Sequence, residues 1–284
     1  MADQAIVDVN WLQKHLVDVV VLDVRYSPKE QQYGRDAYEK GHIPGAQFVD
    51  FKLALTAPAQ QYGGRSPLPS PEQLAFTFSQ LGIDERSIVV VYEDTNGPAA
   101  SRLWWALRYI GLDRVFVLDG GITAWEEAGF ALSTEEPQVE AKILELQLRD
   151  NWLANVQDVR AAIADGSAVL IDSRDRSQYV GETSPFDPVA GHIPTARHYF
   201  WKEALNKQER WLSADLLQQR FGELKPAGNY IVYCGSGISA TPNVLALRQA
   251  GFENVRLYAG SWSDWISYEG NPVAVGDEEK AEKE

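Results

Sequence analysis

The stretch Val19-Val-Val-Leu-Asp-Val-Arg25 decides the fold, because it returns in the second half of the chain as Ala168-Val-Leu-Ile-Asp-Ser-Arg174. In both halves the phrase Gly-His-Ile-Pro follows, first at residues 41–44 and then at residues 191–194. Further phrases repeat in the same order along the chain. A repeated series of this kind predicts two structurally similar domains.

Short apolar runs rich in β-branched residues alternate with segments of helical character in each half. The runs are 19–24, 88–92 and 115–118, then 169–171, 230–233 and 255–258. Continuous apolar runs of this length are typical of strands that are buried on both faces. Two of the helical segments, 101–110 and 240–250, are each followed by glycine, which commonly ends a helix. The pattern predicts an α/β fold, with a mainly parallel central sheet flanked by helices in each domain.

The domain boundary falls in a polar stretch where Thr134-Glu-Glu-Pro137 interrupts the periodicity. We therefore predict a first domain over residues 1–135, a linker over 136–150, a second domain over 151–275 and an acidic tail over 276–284. Another helix is predicted to begin at Ser261, with Asp264 three residues on completing a capping box.

The composition of the chain argues against several classes of function. The chain has 284 residues, 45% of them apolar, and 26 Lys and Arg against 40 Asp and Glu give a net charge of −14. This charge opposes binding to nucleic acid or to an anionic membrane surface. The single cysteine, Cys234, excludes an intrachain disulfide and fits a reducing compartment. With no signal peptide visible, we expect a cytoplasmic protein that needs no metal or other cofactor.

Cys234 directly follows the apolar run 230–233 and opens the stretch Cys234-Gly-Ser-Gly-Ile-Ser-Ala240. The thiol is thus expected at the carboxyl end of a strand and near the start of a helix, where parallel sheets bind ligands and backbone N–H groups favour anions. A lone cysteine is more often packing material. Here the small, glycine-rich residues after the cysteine would pack poorly in an apolar core, whereas their backbone N–H groups could surround an anion. This favours a functional Cys234.

The first half provides an internal comparison, because Glu93 occupies the position of Cys234. A carboxylate cannot act as a thiol nucleophile. We therefore expect residues 1–135 to form a non-catalytic domain and residues 151–275 to form the catalytic one.

With these residues in view, the chain resembles the tandem-rhodanese sulfurtransferases, and within them the 3-mercaptopyruvate sulfurtransferase branch more than the thiosulfate one. The paired Gly-His-Ile-Pro phrases, Asp119-Gly-Gly121, the cysteine loop and Gly260-Ser-Trp-Ser-Asp-Trp265 carry the resemblance over almost the whole chain. Relatives that prefer thiosulfate usually have basic residues after the cysteine, whereas no Arg or Lys occurs here between Cys234 and Arg248.

The resemblance implies a two-step transfer through a persulfide on Cys234 to a thiophilic acceptor, which could be a thiol, a thioredoxin-like protein or cyanide. It also implies a catalytic role for Ser236, together with His42 and an aspartate, for which Asp36 is the candidate. A purely structural role is equally open for His42, because His192 holds the same place in the other half.

Substrate binding is predicted at the loop backbone of Gly235, Gly237, Ile238, Ser239 and Ala240. Family members also bind the substrate carboxylate with arginines that this chain lacks: Gln178 stands in one such position, and the other falls within 184–188. Arg176 is the nearby candidate replacement. Arg174 is expected in a structural ion pair, since Arg25 repeats it in the first half.

Two other function classes share a cysteine in such a loop. Phosphatases and arsenate reductases need an arginine six positions after the cysteine, and here that position is Ala240, so they are disfavoured. A sulfur-carrier or redox-sensing module without turnover remains open, as does thiosulfate as the sulfur donor.

Overall fold

The computed structural model describes residues 5–277. The predicted tail is thus described only at 276 and 277, and the rest of it lies outside these residues. The elements of the first half are β1 (Ile6–Val7), α1 (Val9–His15), β2 (Val20–Asp23), α2 (Tyr33–Lys40), β3 (Gln47–Phe48), α3 (Phe51–Leu55), α4 (Pro71–Gln80), β4 (Val89–Tyr92), α5 (Pro98–Tyr109), β5 (Val115–Leu118) and α6 (Gly121–Glu127).

The elements of the second half are β6 (Leu153–Ala154), α7 (Val156–Asp165), β7 (Val169–Asp172), α8 (Arg176–Tyr179), β8 (Arg197–His198), α9 (Ala214–Arg220), β9 (Asn229–Tyr233), α10 (Thr241–Gln249), β10 (Asn254–Tyr258) and α11 (Ser261–Trp265). Short 3-10 helices cover Asp150–Trp152 and Trp201–Ala204.

Each half forms one five-stranded sheet, and the two sheets have the same strand order. The first is β1-β5-β4-β2-β3 and the second is β6-β10-β9-β7-β8. Every pairing between these strands is parallel. The predicted α/β class and the duplicated architecture are therefore confirmed.

The two halves share an apolar core, and each half also has a separate cluster of buried side chains of its own. A single cluster of buried side chains contains Leu103 and Trp104 of α5 together with Val244 and Leu247 of α10. These two helices pack against each other across the middle of the molecule. Because α5 and α10 each follow the central strand of their sheet, this packing brings the carboxyl ends of β4 and β9 close to one interface.

Helix α5 begins three residues earlier than predicted. Pro98 occupies its first turn, where a missing N–H costs nothing, and the Glu93 carboxylate accepts the N–H of Ala100 at 2.8 Å. These contacts satisfy the backbone groups of the first turn and explain why α5 begins earlier than predicted. No helix within residues 5–277 is both long and apolar enough to cross a bilayer.

Candidate active site

Cys234 lies where β9 ends, between β9 and the loop that leads into α10. Strand β9 is central in its sheet, paired with β10 on one side and β7 on the other. Cys234 is 1% exposed. Its position at the carboxyl end of a central strand matches the expectation for a functional thiol.

The loop directs a backbone N–H at the sulfur. Gly237 N donates to Cys234 Sγ at 3.1 Å. Gly237 has a φ of +77°, and a Cβ built on it would lie 2.1 Å from the carbonyl oxygen of Ala259. Only glycine fits this position without moving the backbone, and the turn it allows aims its amide at the sulfur.

Ser261 closes the other side of the cysteine. Its Oγ accepts the N–H of Cys234 at 3.1 Å and lies 4.0 Å from Cys234 Sγ. The capping box predicted at Ser261 is wrong, because Gly260 precedes the first turn of α11 and no side chain caps it. Asp264 instead accepts N–H of Gly63 and the hydroxyl of Tyr258. Ser261 is thus turned toward the nucleophile rather than toward its own helix.

Arg102, from α5 of the first domain, supplies a buried positive charge beside the loop. Its guanidinium is 0% exposed and donates to the carbonyl oxygens of Gly237 at 2.8 Å and Ser66 at 3.3 Å. Burial lowers the pKa of Arg102 to about 10, and the negative charge of Cys234 opposes that shift. A cation of the first domain therefore lies against the loop that holds Cys234.

The remaining loop residues surround the sulfur at different depths. Gly235 and Ala240 are buried, whereas Ser236, Ile238 and Ser239 are half-buried. Gly235 is held by its carbonyl, which accepts the N–H of Ser263 at 3.0 Å. The half-buried residues are thus the part of the loop that solvent reaches.

His42 lies within the first domain. Its Nδ1 is 2.8 Å from the carbonyl oxygen of Tyr38 and its Nε2 is 3.1 Å from that of Glu135, so both ring nitrogens are engaged by backbone. Asp36 is exposed on α2. The ring of His42 stacks on Tyr38 at 3.9 Å, and His192 stacks on its own tyrosine at the same distance. The described contacts of His42 are those of a residue that holds a turn.

The arginines named from the sequence occupy three different settings. Arg174 pairs with Asp172 and also donates to the carbonyl of Gly191, which confirms the predicted structural ion pair. The first half repeats this arrangement with Arg25. Arg176 is half-exposed and paired with Asp277 on the surface, and Gln178 is half-buried nearby on α8.

Several site residues could not be found from sequence. Arg102 and Arg65 come from the first domain and approach the cysteine only through tertiary contacts. Sequence reasoning found no cation in the loop itself, which is correct, but the fold brings cations to it from elsewhere. The signal that was available for Arg102 was a charged residue in a helix made up mainly of apolar residues.

Both halves of the chain match a known domain family. Residues 8–128 and 155–268 each match the family model described as Rhodanese-like domain. The chain is 40% identical over 265 residues to a probable 3-mercaptopyruvate sulfurtransferase of Pseudomonas aeruginosa, covering 92% of this chain and 93% of that one. It is 35% identical over 261 residues to the putative thiosulfate sulfurtransferase SseB of Mycobacterium tuberculosis, covering 91% of each.

A solved structure agrees with the sequence relatives. The crystal structure of SseA from Escherichia coli, described as a 3-mercaptopyruvate sulfotransferase with the rhodanese fold, superimposes with a TM-score of 0.77 at 30% identity. The match covers 92% of this chain and 99% of that chain. The match therefore runs through both halves of this chain and nearly all of the solved one.

Proposed function

Because the chain belongs to the rhodanese-like domain family, we propose that it is a sulfurtransferase that moves sulfane sulfur from 3-mercaptopyruvate through a Cys234 persulfide to a thiophilic acceptor. The observation that carries this proposal is the contact between Gly237 N and Cys234 Sγ at 3.1 Å. A thiolate held by a fixed backbone donor is ready to attack, and the donor needs no rearrangement.

The first step forms a sulfur–sulfur bond. The Cys234 thiolate attacks the thiol sulfur of 3-mercaptopyruvate, and the carbon–sulfur bond breaks. Its electron pair passes to the carbon as the enolate of pyruvate, which takes up a proton. Cys234 keeps the transferred sulfur as a persulfide. Backbone N–H groups of residues 235–240 would stabilise the anions on this path, each donor by about 3 kcal/mol in an oxyanion hole.

The second step regenerates the enzyme by removing the outer sulfur from Cys234. A thiol, a thioredoxin-like protein or cyanide attacks the outer sulfur of the persulfide and leaves Cys234 as a thiolate. Ser236 lies in the same loop, and its part in the proton transfer, through a relay with His42 and Asp36, stays a prediction. The cytoplasmic location also stays a prediction.

Two measurements test the proposal. Incubation with 3-mercaptopyruvate, followed by mass spectrometry of the cysteine peptide, should show the mass of one added sulfur atom on Cys234. Steady-state turnover with cyanide or dithiothreitol as acceptor should release pyruvate. An active preparation in which Cys234 never carries extra sulfur would disprove the persulfide route.

Thiosulfate is the second candidate donor, and one observation favours it. Although the loop contains no basic residue, the guanidinium groups of Arg65 and Arg102 lie against it. The same persulfide chemistry applies, with sulfite leaving in place of pyruvate. Comparing kcat/KM for the two donors decides between them, and loading of Cys234 without any turnover would instead indicate a sulfur carrier.

A further inference from the structure

A carboxylate of the second domain lies close to the cysteine loop. The segment 184–188 reads Ser-Pro-Phe-Asp-Pro and contains Asp187 but no lysine or arginine. Asp187 Oδ1 forms an ion pair with Arg65 Nη1. The other terminal nitrogen of this guanidinium, Nη2, would lie 2.5 Å from a Cβ built on Gly235. One guanidinium group therefore separates the Asp187 carboxylate from the residue that follows Cys234.

The segment that carries Asp187 is held in place. The Ser184 hydroxyl lies 2.6 Å from the carbonyl oxygen of Asp187 and 3.0 Å from that of Val189. Trp262 Nε1 donates to the same Val189 carbonyl at 3.0 Å, and Trp262 N donates to the carbonyl of Cys234 at 3.0 Å. These contacts connect the segment to the cysteine, so the position of its carboxylate is fixed relative to the site.

The ion pair joins the two domains, and its cation is also oriented. Arg65 N donates to Ser263 Oγ at 3.1 Å, and Arg65 Cζ lies 5.6 Å from the ring centroid of Phe186. The Arg65 side chain is 34% exposed, whereas that of Asp187 is 11% exposed. A negative charge is thus built into a partly solvent-accessible point beside the cysteine loop.

The other described arginines in contact with this loop or beside it are less accessible. Arg174 is 6% exposed in its pair with Asp172, and Arg102 is completely buried against carbonyl oxygens. Arg65 is the partly exposed cation of the three, and Asp187 cancels its charge. The accessible side of the loop therefore carries an ion pair with no net charge instead of a free cation.

Resting on the proposed function, we propose that Asp187 sets the donor preference of the site by opposing doubly charged donors. At pH 7, 3-mercaptopyruvate is a monoanion and thiosulfate is a dianion. Because Coulomb energy is proportional to the product of the charges, the Asp187 carboxylate repels thiosulfate twice as strongly at the same distance. A like charge placed against a competing ligand is a general source of specificity. Asp187 thus favours 3-mercaptopyruvate without touching the reacting sulfur.

The test compares three donors on wild type and Asp187→Asn, with cyanide as the acceptor. The amide keeps an oxygen for the guanidinium and removes only the charge. We expect kcat/KM to rise about 10- to 100-fold with thiosulfate and about 3- to 10-fold with 3-mercaptopyruvate, because doubling an energy squares the fold-change. The neutral methyl ester of 3-mercaptopyruvate should stay within about twofold of wild type. The ratio of kcat/KM for thiosulfate to that for 3-mercaptopyruvate should therefore rise about 3- to 10-fold.

Three further variants isolate the charge at this position. Asp187→Ala is a second neutral variant and should raise the ratio as well, whereas Asp187→Glu keeps the charge and should stay within about twofold of wild type. Asp113→Asn is the matched control. Asp113 pairs with Arg149, is 82% exposed and precedes β5, at the edge of its sheet opposite to the carboxyl ends of the strands. Turnover of the neutral ester shows that each variant is folded.

A rise of less than about threefold in the ratio for the neutral Asp187 variants would overturn this inference. An equal rise in Asp187→Glu or in Asp113→Asn would overturn it too, since the charge at this position would not be the cause. In each case wild-type turnover and the Cys234 persulfide would stand. A wild-type protein without persulfide or turnover on any donor would instead disprove the proposed function, and the role of Asp187 with it.

Discussion

The loops that follow the two central strands, β4 and β9, are built on the same backbone plan but hold different chemistry. After β9, the carbonyl of Cys234 accepts the N–H of Trp262 at 3.0 Å. After β4, the carbonyl of Glu93 accepts the N–H of Ile122 at 2.9 Å. Each loop is thus tied by the same kind of bond to the start of the helix that follows the next strand, α11 or α6.

Both loops also direct backbone N–H groups at the side chain that follows the strand. Gly237 donates to the Cys234 sulfur, and Ala100 donates to the Glu93 carboxylate. Burial raises the pKa of Glu93 to about 8, against an ordinary value of 4.5, so this group is mainly neutral at pH 7. The comparison teaches that the scaffold directs a backbone N–H group at whichever side chain follows the central strand, while that side chain decides whether the position reacts.

Exchanging the nucleophile should have the largest effect. Cys234→Ser keeps the loop and the buried volume nearly unchanged but replaces a thiolate by a far less acidic hydroxyl. We expect turnover to fall by at least about 10³-fold, because the covalent step is lost. Pyruvate release and the mass of the cysteine-loop peptide measure this. Substantial turnover in Cys234→Ser would mean that another group receives the sulfur.

A methyl group added to each of the two loops should lower kcat only in the loop that takes part in the reaction. Gly237→Ala forces a Cβ to within 2.1 Å of a backbone carbonyl at positive φ. We expect this variant to lose about 2 kcal/mol of stability or more and about 10²-fold in kcat, as the amide leaves the sulfur.

The counterpart is Gly97→Ala, whose Cβ would lie 2.5 Å from the Glu93 carboxylate. Gly97→Ala should lower stability without a comparable fall in kcat, since the Glu93 side chain can move away from the added methyl group. Chemical denaturation and steady-state kinetics on both variants provide the measurement. Equal losses of kcat would show that the first loop contributes to the reaction.

The Glu93 carboxyl should make stability depend on pH. Its raised pKa means that the folded state holds a proton that the unfolded state has released, so stability should fall as pH rises from 4.5 to about 8. The slope should approach about 1.4 kcal/mol per pH unit. Glu93→Gln should remove this dependence while turnover stays unchanged. Urea unfolding of both proteins across this range checks it, and parallel curves would contradict the expectation.

The two equivalent histidines give the smallest expected difference. His42→Ala and His192→Ala each remove a ring that stacks on a tyrosine and is bound by a backbone carbonyl. From these contacts we expect similar losses of stability, about 1–3 kcal/mol. A selective fall in kcat for His42→Ala, at matched stability, would support the proton relay through His42 instead.

The central strands and the duplication could be predicted from sequence, because buried parallel strands require continuous apolar runs. The runs at 19–24, 88–92 and 115–118 became β2, β4 and β5 within one residue at each end. The edge strands β1, β3, β6 and β8 have two residues each, which is too short to leave a periodic pattern. They exist only because a neighbouring strand offers its hydrogen-bonding groups.

By itself, the sequence determined the position of Cys234, the glycine that turns its loop and the replacement of the cysteine by Glu93 in the other half, since these are properties of adjacent residues. Only the tertiary structure decided which cations surround the sulfur. Both Arg65 and Arg102 lie far from the loop along the chain: Arg102 reaches it because α5 packs on α10, and Arg65 reaches it because its backbone N–H is bound to Ser263. Electrostatic attraction depends on distance in space, and spacing along the chain does not reveal that distance across a domain interface.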